Sequence, residues 1–231
     1  MKSVMNPEIS GMILNVNKPV GLSSYDIVRR VKRLVPGVKV GHGGTLDPFA
    51  RGVLLLLIGK ATKQMTSLLK NQKIYEALLK LGTGTATGDN TSPVNQISDV
   101  PEISNDLIRQ LEAQFSGEIT QIPPIFSAKK VNGRPAYKYA REGTDIQLKP
   151  TTVSIYDLKI EFVEQNLLKI IVTCSSGTYI RVLGEDIAKA IGSCGHLISL
   201  QRTAIGDYRI EDSAEIETLS DILPELAVAR A

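Results

Sequence analysis

The 231-residue sequence has no tryptophan, two cysteines and two histidines, and each scarcity removes a class of function. Cys174 and Cys194 stand twenty residues apart. With only His42 and His196 to join them, they match neither a disulfide framework nor a zinc-ligand spacing, so both cysteines read as small buried side chains and no metal is expected. The longest unbroken apolar run, Val53-Leu54-Leu55-Leu56-Leu57-Ile58, falls far short of the roughly 18 residues of a transmembrane helix. Residues 1–11 lack the charged-then-apolar pattern of a signal peptide. A cytoplasmic protein with no membrane partner is the expectation.

Phosphate-binding glycine loops are also missing. In Gly82-Thr83-Gly84-Thr85-Ala86-Thr87-Gly88 the third glycine falls one residue late for a dinucleotide fingerprint. Gly59-Lys60 is followed by alanine and preceded at the required distance by Leu54, so it is no nucleotide loop. Cys174-Ser175-Ser176-Gly177 has glycine on one side only, which excludes a serine nucleophile elbow. Chemistry in this chain is therefore left to carboxylate, tyrosine and arginine, with no cofactor.

What the chain does have is an uneven charge. Of 27 basic and 24 acidic residues, six acidic ones but only Arg230 of the basic ones lie from Glu211 onward, so the first 210 positions carry a net +8. That asymmetry suits a polyanionic partner, although a basic helix face by itself is commonly just solvated.

Periodicity predicts a strand over 12–16, a turn at Lys18-Pro19-Val20-Gly21, and a helix capped by Ser24 with Ile27, Val28, Val31, Leu34 and Val35 on its apolar face. Arg29, Arg30, Lys32 and Arg33 lie opposite. The run 53–58 reads as a strand covered on both faces. A helix over 61–69, a strand over 73–81 and a polar stretch over 82–101 follow, then a helix opened by Ser104 and a basic segment over 129–141. Residues 151–164 and 167–174 read as two long strands turned at Gln165-Asn166, 179–191 as a helix, 197–208 as strand and turn, and 216–229 as a terminal helix. The elements lack a strict β-α-β rhythm, so the expected class is α+β, with a mixed, largely antiparallel central sheet and flanking helices. No linker is visible, and one domain spanning residues 1–231 is expected.

An aspartate before proline is ordinarily a turn residue. Asp47 is set apart by its surroundings, Gly41-His42-Gly43-Gly44-Thr45-Leu46-Asp47-Pro48-Phe49-Ala50-Arg51-Gly52-Val53-Leu54, which closely resemble the catalytic segment of the TruB family, the tRNA pseudouridine-55 synthases. Asn17-Lys18-Pro19-Val20-Gly21-Leu22-Ser23-Ser24 is similar to that family's opening turn, and Lys73-Ile74-Tyr75-Glu76-Ala77 to its tyrosine strand. Gln121-Ile122-Pro123-Pro124-Ile125-Phe126-Ser127-Ala128-Lys129-Lys130 resembles its proline-rich insertion. Cys174-Ser175-Ser176-Gly177-Thr178-Tyr179-Ile180-Arg181 and Leu200-Gln201-Arg202-Thr203-Ala204-Ile205-Gly206 resemble its later segments. The blocks occur in order over about residues 12–208. Gly43 and Ser23 stand where the family more often has threonine, and the space after Tyr208 suffices for one helix, so no separate C-terminal RNA-binding domain is expected.

The resemblance implies the pseudouridine synthase fold and the conversion of uridine 55 in the T arm of tRNA by base flipping, cleavage of the N1 glycosidic bond and rejoining through C5. It implies Asp47 as the catalytic carboxylate, Tyr75 against the target base, and Arg181 as the fixed cation that keeps a carboxylate ionised in a dry pocket. His42, Tyr179, Leu200, Lys18, Lys129, Lys130 and Arg141 are the implied substrate-binding residues, with an RNA-gripping insertion at about 121–150. Without the resemblance Tyr75 and Leu200 would read as core, and Arg181 as a surface arginine. A monomer acting without guide RNA is expected. The competing reading is a non-catalytic RNA-binding or RNA-remodelling protein on the same fold.

Overall fold

The computed structural model describes residues 11–228, with side chains up to Leu223. Ala229 and Arg230, assigned above to the terminal helix and the tail, lie outside the described residues, as do residues 1–10. The chain divides into two compact units, Met1–Lys73 with Gln201–Ala231, and Ile74–Leu200. Both divisions fall inside strands, Lys73–Leu81 and Gly195–Ile205, which is why no linker composition marks them.

In the first unit the strand Arg51–Ile58 is central. It pairs antiparallel with Ile13–Lys18, from Ile13 opposite Leu57 to Lys18 opposite Gly52, and with Val40–His42. Gln201 and Arg202 lie parallel to Arg51 and Gly52. Ala214–Glu215 adds a short parallel pair beyond Ile13–Lys18. The strand's two-residue side-chain period explains its unbroken apolar run. Leu54, Leu56 and Ile58 join one core with Val16, Ile27, Val28, Val31 and Ile216, while Val53, Leu55 and Leu57 join another with Ala61, Leu68 and Ile205. All six residues of the run are fully buried, each contributing about 1.5 to 3 kcal/mol relative to exposure.

The helix Ser24–Leu34 buries Ile27, Val28 and Val31, as its period requires. Its cap is Ser23, one residue earlier than expected. The Ser23 hydroxyl accepts from the Asp26 N–H at 3.1 Å, and the Asp26 carboxylate accepts from the Ser23 N–H at 2.9 Å, a reciprocal capping box. The expected helix at 61–69 is a 3-10 turn, Gly59–Gln64, running into a short helix, Met65–Lys70.

In the second unit Thr151–Glu164 and Leu167–Cys174 form the expected long antiparallel hairpin, with two irregularities of register. Gly117–Gln121 pairs antiparallel with Thr151–Ile155, and Lys73–Leu81 neighbours Leu167–Cys174. Helices Asn105–Phe115, capped by Ser104, and Ile180–Ala190 flank these strands. The polar stretch holds a two-stranded ribbon, Thr83–Thr85 with Val94–Ile97. The basic segment holds a smaller one, Lys130–Val131 with Arg134–Pro135, followed by the helix Ala136–Arg141. The pairings are mostly antiparallel and the class is α+β, as expected.

Candidate active site

In the first unit the loop before Arg51–Ile58 carries Asp47, which is half-buried. Its neighbours are fixed from several directions. The Gly43 N–H donates to Leu55 O at 2.8 Å and the Ala50 N–H to Asp47 O at 3.1 Å. Ser24, released from capping, clamps Leu46: its hydroxyl donates to Leu46 O at 3.1 Å and accepts from the Leu46 N–H at 2.9 Å. Pro48 O accepts from the Gly21 N–H at 2.7 Å. Satisfied buried polar groups of this kind hold a loop in one conformation.

Lys18, named above among the substrate-binding residues, is wholly buried. Its ammonium donates to Pro19 O at 2.8 Å, Leu22 O at 2.7 Å and, more weakly, Pro48 O at 3.5 Å, so it ties the opening turn to the Asp47 loop. Burial pulls its pKa down to about 8, opposed by the Asp47 carboxylate and reinforced by the Arg202 guanidinium.

Arg202 was given no role on sequence grounds. It is buried and spends its guanidinium on Val53 O at 2.8 Å, Thr45 O at 3.3 Å and Gly44 O at 3.2 Å, gripping both sides of the loop. Gly52, at φ +109°, is required beneath it, because a Cβ there would lie 2.2 Å from Arg202 O. His42 ends the strand Val40–His42. Burial holds its imidazole below the ordinary histidine range, opposed by a hydrogen bond to the Gly44 main chain and reinforced by the Arg202 charge, and its Nδ1 is sealed from solvent.

In the second unit Tyr179 and Arg181 come together at the start of Ile180–Ala190. The Tyr179 N–H donates to Gln121 Oε1 at 3.0 Å, and Gln121 Nε2 donates back to Tyr179 O at 3.2 Å. Gln121 itself is buried, so the proline-rich segment is pinned to this helix start. Arg181 is 4% exposed and donates to Thr87 O at 2.6 Å and Phe126 O at 2.9 Å. Its Nε stands 3.8 Å from the Asp89 carboxylate. Asp89 is buried too, accepting from the Thr87 hydroxyl at 2.6 Å, the Thr91 N–H at 2.9 Å and the Thr91 hydroxyl. The Asp89 carboxylate thus stands beside the buried Arg181 guanidinium, as a buried charge requires of its surroundings.

Tyr75 is buried on Lys73–Leu81, where alternate residues point inward, and Leu200 is buried on Gly195–Ile205. Lys129 donates to the Thr151 hydroxyl at 2.8 Å. Lys130 and Arg141 are exposed, Arg141 lying over the Tyr137 ring at 5.4 Å. Arg134 lies over Tyr139 at 4.9 Å and is paired with Glu142. Sequence reasoning missed Arg202, Asp89, Gln121 and the clamp by Ser24. Among the described residues no cluster of histidine, cysteine and carboxylate side chains could hold a metal ion, and no helix is long and apolar enough to cross a membrane.

A family model described as TruB family pseudouridylate synthase (N terminal domain) matches residues 32–180. The chain is 44% identical over 222 residues to the tRNA pseudouridine synthase B of Francisella philomiragia subsp. philomiragia, covering 96% of this chain and 73% of that one. It is 42% identical over 217 residues to the protein of the same name from Dechloromonas aromatica, covering 93% and 72%. Among solved structures it resembles a chain of a Cbf5-Nop10-Gar1 complex, with a TM-score of 0.73 and 27% identity over 97% of this chain and 58% of that one. It also resembles a chain of an H/ACA RNP bound to a substrate RNA containing 2'-deoxyuridine, with a TM-score of 0.69 and 28% identity over 93% and 54%.

Proposed function

Because the chain belongs to the TruB family of pseudouridylate synthases, we propose that it acts on tRNA as a pseudouridine synthase at uridine 55 of the T arm, with Asp47 as its catalytic carboxylate. The reaction is an isomerisation. The N1–C1' bond breaks, the freed uracil turns, C5 bonds to the same C1', the proton on C5 leaves and N1 takes one up, so no cofactor is consumed. A carboxylate serves by attacking C1' or the uracil ring, or by stabilising a cationic sugar. The observation that carries this reading is the Asp47 loop itself, whose flanking residues are held by Ser24, Gly21, Lys18 and Arg202 with little freedom left to the carboxylate's backbone.

Tyr75 and Arg181 complete the catalytic set, Tyr75 packing on the target base and relaying a proton, Arg181 acting as the fixed cation for Asp47. His42, Tyr179 and Leu200 contact the displaced uridine and its surroundings. Lys129, Lys130 and Arg141, in the insertion at about 121–150, contact the phosphates of the arm. Taking the uridine out of its stack costs a few kcal/mol, offset by these contacts. Lys18, with its ammonium spent on main-chain carbonyls, supports the loop from beneath. We further propose a cytoplasmic monomer that needs no guide RNA, in keeping with its higher identity to the relatives named tRNA pseudouridine synthase B than to the chain of the Cbf5-Nop10-Gar1 complex.

The test is pseudouridine formation on an unmodified tRNA transcript by the purified chain without added cofactor, with the modified position mapped. Product at uridine 55 is expected. RNA binding without product would favour a non-catalytic RNA-binding protein, and product only with added guide RNA and partner proteins would contradict the stand-alone reading.

A further inference from the structure

Within the second unit, the helix Ile180–Ala190 places Arg181 and Glu185 one turn apart on the same face. Residues 85–91 lie against that face. Thr87 O accepts from Arg181 Nη1 at 2.6 Å, and the Asp89 carboxylate stands 3.8 Å from Arg181 Nε. Between these two partners sits Gly88, at φ +68°, where a Cβ would run into Glu185 Oε1 and stand 3.4 Å from Arg181 Cβ. Glycine at 88 therefore leaves a seat that the Glu185 carboxylate fills, midway between the groups that hold the guanidinium. The seat is itself fixed, because Gly88 O accepts from the Leu197 N–H at 3.0 Å and the Gly88 N–H donates to Thr85 O at 3.3 Å.

The charges around Glu185 give the arrangement a direction. Its side chain is 32% exposed, and Lys189 Nζ stands 3.8 Å from Oε2. Burial pushes its carboxyl above the ordinary glutamate value; the Lys189 charge opposes this, the Asp186 charge adds to it and the Arg181 charge opposes it. Placing a carboxylate where burial disfavours its ionised form is costly unless its charge is used. Here the charge lies on the turn that binds Arg181, on the same side as Asp89.

We propose that Glu185 is a positioning residue for Arg181 in the proposed reaction: its ionised carboxylate, seated on Gly88, supplies together with Asp89 the negative field that keeps the guanidinium in its working place. The inference rests on the reading of Arg181 as part of the catalytic set. Glu185 acts through Arg181 and needs no contact with the RNA.

The experiment uses the full chain and an unmodified tRNA transcript, and reads kcat and KM for pseudouridine formation between about pH 5 and about pH 8. At the upper end Glu185→Gln, which keeps the shape and removes the charge, should lower kcat about tenfold with KM within about twofold of the parent. Glu185→Asp, which keeps the charge, should stay within about threefold of the parent. The folded carboxyl titrates above its ordinary value, so the parent should lose its advantage as the pH falls, and its rate should converge on that of Glu185→Gln. In an Arg181→Lys background, Glu185→Gln should change kcat by less than about twofold. Equal rates for the parent and Glu185→Gln at the upper pH, a difference independent of pH, or a loss undiminished by Arg181→Lys would overturn the assignment. Glu185→Met supplies the same comparison should Glu185→Gln fail to fold. If the parent forms no pseudouridine, the functional reading fails, and the nitrogen chemical shift of Arg181 Nε over the same pH range still decides the inference. A titration step in the parent that is missing from Glu185→Gln upholds the coupling, and identical curves overturn it.

Discussion

The Asp47 loop and the segment over 129–145 are both irregular chain next to short elements, yet they are held in opposite ways. Around Asp47 the partners are buried: Ser24 clamps Leu46, while Lys18 and Arg202 donate to main-chain carbonyls. The segment over 129–145 has a two-residue ribbon and a six-residue helix, and its charged side chains are exposed or paired at the surface, as Arg134 is with Glu142. Buried, fully satisfied networks impose one geometry, whereas surface ion pairs contribute little. The difference separates a region held in one geometry from one under few buried restraints, the arrangement expected if the first carries the proposed chemistry and the second the proposed RNA contacts.

That contrast can be broken at several points, beginning with the largest effect. Asp47→Asn should lower kcat by about 10⁴-fold or more while leaving the thermal midpoint near that of the parent, measured by single-turnover pseudouridine formation and calorimetry. Gly52→Ala would force a Cβ into Arg202 O at a backbone conformation that L residues rarely adopt. It should cost about 3 kcal/mol or more of unfolding free energy in a urea titration. Lys18 gives a pH signature. Its folded pKa of about 8 lies below the ordinary 10.5, so the unfolded chain binds more protons between those values. Stability relative to Lys18→Met should therefore rise with pH across about 8 to 10.5, by about 2 to 3 kcal/mol, and be flat below pH 8.

Ser24→Ala should cost about 1 to 3 kcal/mol, because the Leu46 N–H and C=O are left unpaired, and should lower kcat more than it raises KM. At the small end, Arg141→Ala in the insertion should change stability by less than about 0.5 kcal/mol and show its effect in KM for tRNA, more strongly at low salt. A large stability loss from Arg141→Ala, or none from Gly52→Ala, would erase the distinction between the two regions.

Much of this was readable from sequence where the determinants are contiguous. The apolar run at 53–58 is a strand with two covered faces, and the glycine-dense segment before it holds Asp47. The hairpin over 151–174 has its expected bounds. Determinants that are distant in the chain were not readable. Arg202 reaches Val53 across 149 positions, Arg181 reaches Thr87 across 94, and Tyr179 meets Gln121 across 58. Local pattern carries no record of which carbonyl a buried guanidinium will find. Two adjacent serines hid the division of labour at the first helix, since only the position of Asp26, three residues after Ser23, identifies the cap. The burial of Lys18 was not readable either, because an isolated lysine in a turn is normally solvated and only the fold shows three carbonyls converging on it.

The most direct test of the central claim is a single-turnover measurement with Asp47→Asn at saturating, unmodified tRNA, paired with its RNA affinity and unfolding midpoint. The predicted result is parent-like affinity and midpoint with no pseudouridine at position 55; pseudouridine formed at the parent rate would contradict the assignment of Asp47 as the catalytic carboxylate.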